Sequence, residues 1–295
     1  MRSREVPRST WPPPSEPDAQ VSDEPRLLYY GALLVAAGLG SGFAGGLFGI
    51  GGGVLRIPIF LYLFRAFDVH PSVAMHMAAG TSLALGIPTG LRSALSQRRA
   101  GQLDPAFLRS WMPPLLVGVV LGLAAMRVLS GSTLTAVFAA VVLLAALEMI
   151  ALPEGFRLAQ AVPGQPKRGL LAAAIGGLSA MIGLSGGVFV TPALTLLGYP
   201  IHRAMAVSAA TAAAISATGT AGSIVNGLGA AGRLPWSLGY VDVAAVALML
   251  PAILVAAPLG VKLGNRLSDG LLRRSFGFFL LFVAADVLRQ VLAGR

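Results

Sequence analysis

The chain contains no cysteine. Disulfides, thiolate metal sites and cysteine nucleophiles are therefore excluded. Charge is scarce: 12% of residues are Asp, Glu, Lys or Arg, against roughly 25% in a soluble domain. With 55% hydrophobic residues and a mean hydropathy of +0.76, a large soluble domain does not fit and a polytopic membrane protein does. A membrane helix needs about 20 apolar residues, so the length allows roughly eight full spans with short loops. Three histidines are present, His70, His76 and His202, without metal-ligand spacing. No cofactor is expected. The formal charge of +10 would suit nucleic acid, but the basic residues are dispersed over loops between apolar runs. They read as topology determinants, and the expected partner is the lipid bilayer, with no nucleic acid.

What is abundant is glycine, and one glycine-rich motif occurs twice. The first copy is Gly49-Ile50-Gly51-Gly52-Gly53-Val54-Leu55-Arg56-Ile57-Pro58. The second is Gly183-Leu184-Ser185-Gly186-Gly187-Val188-Phe189-Val190-Thr191-Pro192. They start 134 residues apart, close to half the chain. A duplicated glycine break in lipid-embedded helices points to a transporter built from two repeats around a central site.

The duplication reaches further. Ala78-Ala79-Gly80-Thr81-Ser82 aligns with Ser208-Ala209-Ala210-Thr211-Ala212, and Gly101-Gln102-Leu103 with Gly232-Arg233-Leu234. Leu121-Gly122 through Leu129-Ser130 aligns with Leu259-Gly260 through Leu267-Ser268, which places Phe138 on Phe276 and Glu148 on Asp286. Apolar patterning predicts ten helical segments: 27–48, 54–67, 71–97, 104–126, 133–152, 169–184, 188–199, 203–226, 240–264 and 270–292. The expected organisation is a disordered Pro-rich tail over 1–26, a first membrane repeat over 27–152, a linker over 153–168 and a second repeat over 169–295. The tail does not have the form of a signal peptide.

Loop charge separates two topologies. If each glycine motif merely kinks one span, the halves are parallel and the basic loop residues divide six against seven between the faces. If each motif is the tip of a hairpin, the halves are inverted. One face then holds Arg98, Arg99, Arg157, Lys167, Arg168, Arg203, Lys262, Arg266, Arg273 and Arg274; the other holds Arg65, Arg127 and Arg233. Ten against three favours the hairpins by the positive-inside rule. Both termini would then lie outside, although the tail carries four arginines. The fold class expected is all-α and polytopic: two homologous, inverted halves, each with a Gly-broken hairpin plus three membrane helices. Irregular tips are tolerated at membrane depth when protein surrounds them.

The candidate substrate site lies at those tips. Gly51, Gly52 and Gly53, with Gly186 and Gly187, permit positive φ and close backbone approach. The helices that follow would present the free N–H groups of Val54 and Val188 and a positive dipole end, an anion pocket that needs no charged side chain. Tight helix packing is the competing explanation, and it accounts for Gly38, Gly42 and Gly46 at four-residue spacing. Arg56 stands alone in an apolar segment, where an arginine costs about 3 kcal/mol. It is read either as a counter-charge for an anion or as a structural partner of an acid such as Glu148. Its repeat mate is Val190, so the site is expected to be asymmetric. Thr81, Ser82 and Thr211 offer hydroxyls at matching places, for substrate or for helix packing. Glu148 and Asp286 are candidate proton-coupling acids or mere interfacial caps. His76 is read as a packed histidine. The fingerprint-like run from Gly40 to Gly45 has no preceding strand and carries no dinucleotide site.

At these motifs the chain resembles the sulfite exporter TauE/SafE family of sulfonate and organosulfur permeases. The residues are Gly49, Gly51, Gly52, Gly53 and Pro58 with Ala78, Gly80, Thr81 and Ser82. In the second half they are Gly183, Gly186, Gly187 and Pro192, with Ala204 and Thr211. The likeness covers roughly residues 30–292. It implies a multi-pass inner-membrane transporter of small anions such as sulfite or sulfoacetate. Ser185 stands where the first half has Gly51, and Ala212 where it has Ser82; the second half-site is then either weaker or has its hydroxyl contribution moved to Ser208. The functional expectation is a non-enzymatic secondary transporter of a small anion, driven by ion or substrate gradients, with a coupling proton as a candidate partner. A non-transporting scaffold or assembly factor is the alternative, and a membrane-embedded enzyme a weaker one, since the spans hold no convergent catalytic set.

Overall fold

A computed structural model of the chain describes residues 23–48, 52–67, 69–151, 156–264, 266–267 and 269–292. Gly49, Ile50 and Gly51 of the first motif, residues 1–22 of the expected tail and the first residues of the expected linker lie outside the described residues. The described helices are α1 Asp23–Phe48, α2 Gly53–Ala66, α3 Pro71–Arg99, α4 Pro105–Val128, α5 Gly131–Ala151, α6 Lys167–Ile182, α7 Gly187–Leu196, α8 Ile201–Gly227, α9 Val243–Gly264 and α10 Asp269–Leu292. They match the ten expected segments with ends shifted by at most four residues. Residues 23–26, expected in the tail, belong to α1. One element was not expected: an antiparallel ribbon of β1 Ser237–Leu238 and β2 Val241–Asp242. Two-residue strands are too short to show period-two patterning, and Gly239, with φ of 57°, turns between them.

Five described helices are long and apolar enough to cross a membrane: α1 from Leu28, α4, α5, α8 from His202, and α9 to Leu263. With 14 and 10 residues, α2 and α7 extend only about 21 and 15 Å, short of a hydrocarbon core of roughly 30 Å. Each is the return limb of a hairpin. A Cβ on Gly52 would lie 2.7 Å from the carbonyl oxygen of Ser41, seven residues before the end of α1. Beyond the other end of α2, the Phe67 ring sits 4.3 Å from that of Tyr30, near the start of α1. In the second half, Arg168 at the start of α6 and Tyr199 just beyond α7 both lie against Phe107. The chain doubles back at each glycine motif; a merely kinked span would hold these ends apart.

The duplication is visible in the packing. Glycines let α1 settle on α9 and α4 on α6 at backbone contact. A Cβ on Gly42 would meet the Ile253 carbonyl oxygen at 2.8 Å, and a Cβ on Gly176, its mate, would meet that of Leu115, the mate of Ile253, at 2.3 Å. Gly260 on Phe43 and Gly122 on Gly177 repeat the same exchange. The first helix of each half thus packs on the fourth helix of the other. The third helices cross each other and run in opposite directions: Gly80 lies against Ser223, Gly86 against Ser216 and Gly90 against Ala213.

The connections gather at two ends. At one, the ribbon end, His70 N donates to the Gly232 carbonyl at 3.2 Å, the Trp236 ring lies 6.0 Å from Tyr30, and a Cβ on Gly131 would lie 3.0 Å from the Pro71 carbonyl oxygen. At the other, the linker end, Leu158 N donates to the Leu196 carbonyl at 2.7 Å and Gln165 Nε2 to the Ser110 carbonyl at 3.2 Å. Tyr199 donates to Asp104 there, at 3.5 Å; burial and that carboxylate push the Tyr199 hydroxyl above its ordinary range.

Candidate functional site

The two glycine breaks adopt the same backbone. Gly52 caps α2 with φ of 73°, and its mate Gly186 caps α7 with φ of 81°. Leu55 N and Arg56 N donate to the Gly52 carbonyl; Phe189 N and Val190 N donate to that of Gly186. A left-handed residue followed at once by a helix is what glycine supplies and a β-carbon resists. At the second break, Gly187 N and Val188 N donate to no backbone carbonyl among the described residues. Such orphan amides at a helix start attract negative charge.

The fold brings the two breaks together. Ser82 on α3 donates through Oγ to the Gly183 carbonyl at 2.9 Å. A Cβ on Gly53 would lie 3.4 Å from Leu184 Cδ2 and 3.7 Å from Ser82 Oγ. Arg56 is 1% exposed; its Nη1 donates to the Ser82 carbonyl at 3.4 Å, and Nη2 would lie 3.3 Å from a Cβ on Gly52. The guanidinium therefore sits at the first break and holds the same α3 residue that holds the second.

A cleft of about 100 Å³ reaches the second break. It is lined by Thr89, Gly90, Ser93 and Gln97 of α3, by Met205, Ser208, Ala209 and Ala212 of α8, and by Ser185, Gly187 and Thr191. No charged side chain lines it. Behind it, Ser179 Oγ and Thr211 Oγ1 are buried without a hydrogen-bond partner. Both residues flank Gly186: a Cβ there would lie 3.8 Å from Ser179 Oγ and 3.6 Å from Thr211 Cγ2. A buried unpaired hydroxyl costs about 1–3 kcal/mol, and here two stand beside the free amides.

The expected residues thus divide. Gly187 lines the cleft, with Gly186, Val188 and Thr211 around it, and Ser208 lines it as well. Gly52, Gly53, Val54, Arg56 and Ser82 form the adjoining first break. Gly51 lies outside the described residues. Thr81 is engaged elsewhere: its Oγ1 accepts from Asp242 N at 2.9 Å. Asp286 accepts from Tyr62, Arg289 and Gln290, and Tyr62 stands about 14 Å along α2 from Gly53 at 1.5 Å per residue. Glu148 is half-buried on α5. Neither acid lines the cleft. His76 packs, as expected, with a ring nitrogen 3.0 Å from the Met126 carbonyl oxygen and its ring 5.1 Å from Tyr240.

Thr89, Ser93 and Gln97 escaped the sequence reading, although their four-residue spacing marks one polar face of a helix. Asp242 also escaped it. It is fully buried, accepts from the Tyr30 hydroxyl, and caps α9 by accepting from Ala245 N at 3.0 Å. Asp104 caps α4 in the same way through Ala106 N and Phe107 N. The two capping acids were the available signal, but a longer connection in the second half hides their correspondence.

The sulfite exporter TauE/SafE family matches residues 34–287. The chain belongs to this family. Its TauE/SafE match begins inside α1 and spans both breaks, the other four membrane-length helices and the ribbon. A probable membrane transporter protein of Haemophilus influenzae is 30% identical over 86% of this chain and 97% of its own. Similarly named proteins of Methanocaldococcus jannaschii and Bacillus subtilis, the latter YunE, are each 25% identical. They align over 82% and 66% of this chain and 89% and 78% of their own. No solved structure matches the chain. Membership makes this a multi-pass membrane transporter.

Proposed function

We propose that this transporter is a secondary carrier of a small anion, sulfite or an organosulfonate, held where the two glycine breaks meet. The observation that carries the reading is the second break. Free amides of Gly187 and Val188 stand beside two unpaired buried hydroxyls, at the floor of a cleft without carboxylates. Such donors suit a compact oxyanion, because each oxygen accepts without needing a fixed counter-charge. Arg56, at the adjoining first break, supplies positive charge from the other side. Arg98 and Arg99 follow the cleft residue Gln97, and Arg203 precedes Met205. Basic residues near a mouth raise the local anion concentration.

The halves are inverted in this reading. Support comes from the opposed directions of α3 and α8, which are repeat mates, and from the hairpins. The ten basic loop residues then gather at the linker end, which faces the cytoplasm across the inner membrane. The cleft opens toward that end, and transport proceeds by one half rocking on the other. A proton carried by Glu148 or Asp286 would act away from the anion.

The test is flux in proteoliposomes with sulfite, taurine, sulfoacetate and sulfate, paired with thermal-shift measurements on the same anions, since a ligand stabilises the folded state by mass action. Sulfite or a sulfonate should move and should raise the melting temperature. Absence of both for every anion would leave the scaffold reading standing.

A further inference from the structure

The repeat shows what occupies the counterpart of this cleft among the described residues. From α3 the cleft uses Thr89, Ser93 and Gln97. Their mates, 130 residues on, are Gly219, Ser223 and Gly227 of α8, and all three are buried. From α8 the cleft uses Met205, which is 41% exposed, whereas its mate Met75 of α3 is 1% exposed. Two equivalent half-channels should lead to the two breaks from opposite faces, and the second is filled.

The filling is the ribbon. Tyr240 N donates to the Ser223 carbonyl at 3.1 Å. A Cβ on Gly227 would lie 2.3 Å from Tyr240 N, and a Cβ on Gly80 2.5 Å from Tyr240 O. The Tyr240 ring lies on His76. This main chain occupies the place that corresponds to the open cleft. The ribbon also has no equivalent in the first half: Leu103 runs directly into the capping Asp104, whereas seven residues, 235–241, separate Leu234 from the capping Asp242. The face with the insertion is closed and the face without it is open.

Asp242 anchors the ribbon's end. Its carboxylate accepts from Tyr30 of α1, and its amide donates to Thr81. Thr81 is followed directly by Ser82, which holds the Gly183 carbonyl. A shift of α3 at the breaks therefore reaches the anchor through adjacent residues of one helix.

We propose that the Ser237–Asp242 ribbon is the gate of the second half-channel, seated while the site is open toward the linker end and withdrawn when it turns to the opposite face. This rests on the transport reading above. A seated ribbon that never moved would leave the anion no exit on that face.

The chain's lack of cysteine makes the test direct. In the variant His76→Cys/Tyr240→Cys, a short bifunctional thiol reagent ties the ribbon to α3 in proteoliposomes. Sulfite flux should fall at least tenfold on bridging and return when a cleavable bridge is reduced. Bridged protein that transports within twofold of the unbridged form overturns the gate. As a second readout, Ser223→Cys should react with a membrane-impermeant maleimide several-fold faster during sulfite turnover than without sulfite, and equal rates overturn the gate even if the double variant is inactive. Wild-type protein that moves no anion defeats the transport reading itself; wild-type flux with unimpeded bridged flux defeats only the gate.

Discussion

Gly183→Ala isolates the contact on which the two breaks depend. Gly183 has φ of 73°, and a left-handed alanine costs about 1–2 kcal/mol. Its new Cβ would lie 2.3 Å from Ala79 Cα, 2.8 Å from Ala79 Cβ and 2.9 Å from Ala79 O. These are mostly backbone atoms of α3, so no side chain can swing away. Overpacking of this kind adds about 1–3 kcal/mol, and displacement of α3 loosens the Ser82 bond to the Gly183 carbonyl, a net contribution of about 1 kcal/mol. The total is about 3–6 kcal/mol on those scales. Gly101→Ala is the matched control: φ there is 68°, and its Cβ would meet nothing within 4 Å. It should lose only the backbone contribution of about 1–2 kcal/mol. Unfolding of both purified variants, followed by tryptophan fluorescence against temperature, gives the comparison. Gly183→Ala should melt several degrees below Gly101→Ala and lose transport. Equal melting of the two would show that the breaks do not press on α3 as described.

Ser82→Ala removes the bond that joins the breaks and should reduce flux several-fold while costing about 1 kcal/mol of stability; unchanged flux would place Ser82 outside the site. Arg56→Ala should reduce flux and weaken the anion-induced thermal shift, and an undiminished shift would remove its charge from the site. Asp242→Ala should destabilise more than Asp104→Ala. Both lose a helix cap, at about 1 kcal/mol, but only the first strands the buried Tyr30 hydroxyl, at about 1–3 kcal/mol more; the order of their melting temperatures checks this. Single cysteines at exposed Ser96 and His202 should label with an impermeant thiol reagent from the same face of oriented vesicles, and labelling from opposite faces would overturn the hairpin topology.

Much was legible in the residues themselves. Low charge and long apolar runs made a membrane protein, because a chain with so few charges cannot cover a soluble surface. Two glycine motifs at matched positions located both helix breaks, since few other residues take φ near 75° without strain. Loop arginines sorted the connections into the two ends later seen at His70–Gly232 and Leu158–Leu196, because lipid makes charge placement a matter of topology. The Gly38, Gly42 and Gly46 stripe predicted a backbone-close helix contact.

Other features waited for the tertiary structure. Sequence named a glycine stripe but not α9 as its partner, because any apolar helix with small residues could have met it. It marked Arg56 as out of place but not that the guanidinium reaches the Ser82 carbonyl, a contact between residues 26 positions apart. Thr81 and Thr211 look alike as letters, yet one hydroxyl is spent on Asp242 and the other stays unpaired beside Gly186. That difference comes from seven inserted residues whose strands are too short to leave a pattern. Composition and periodicity decide what must be buried and where the chain must break; which buried groups meet, and which face stays open, depends on distances that only the folded chain sets.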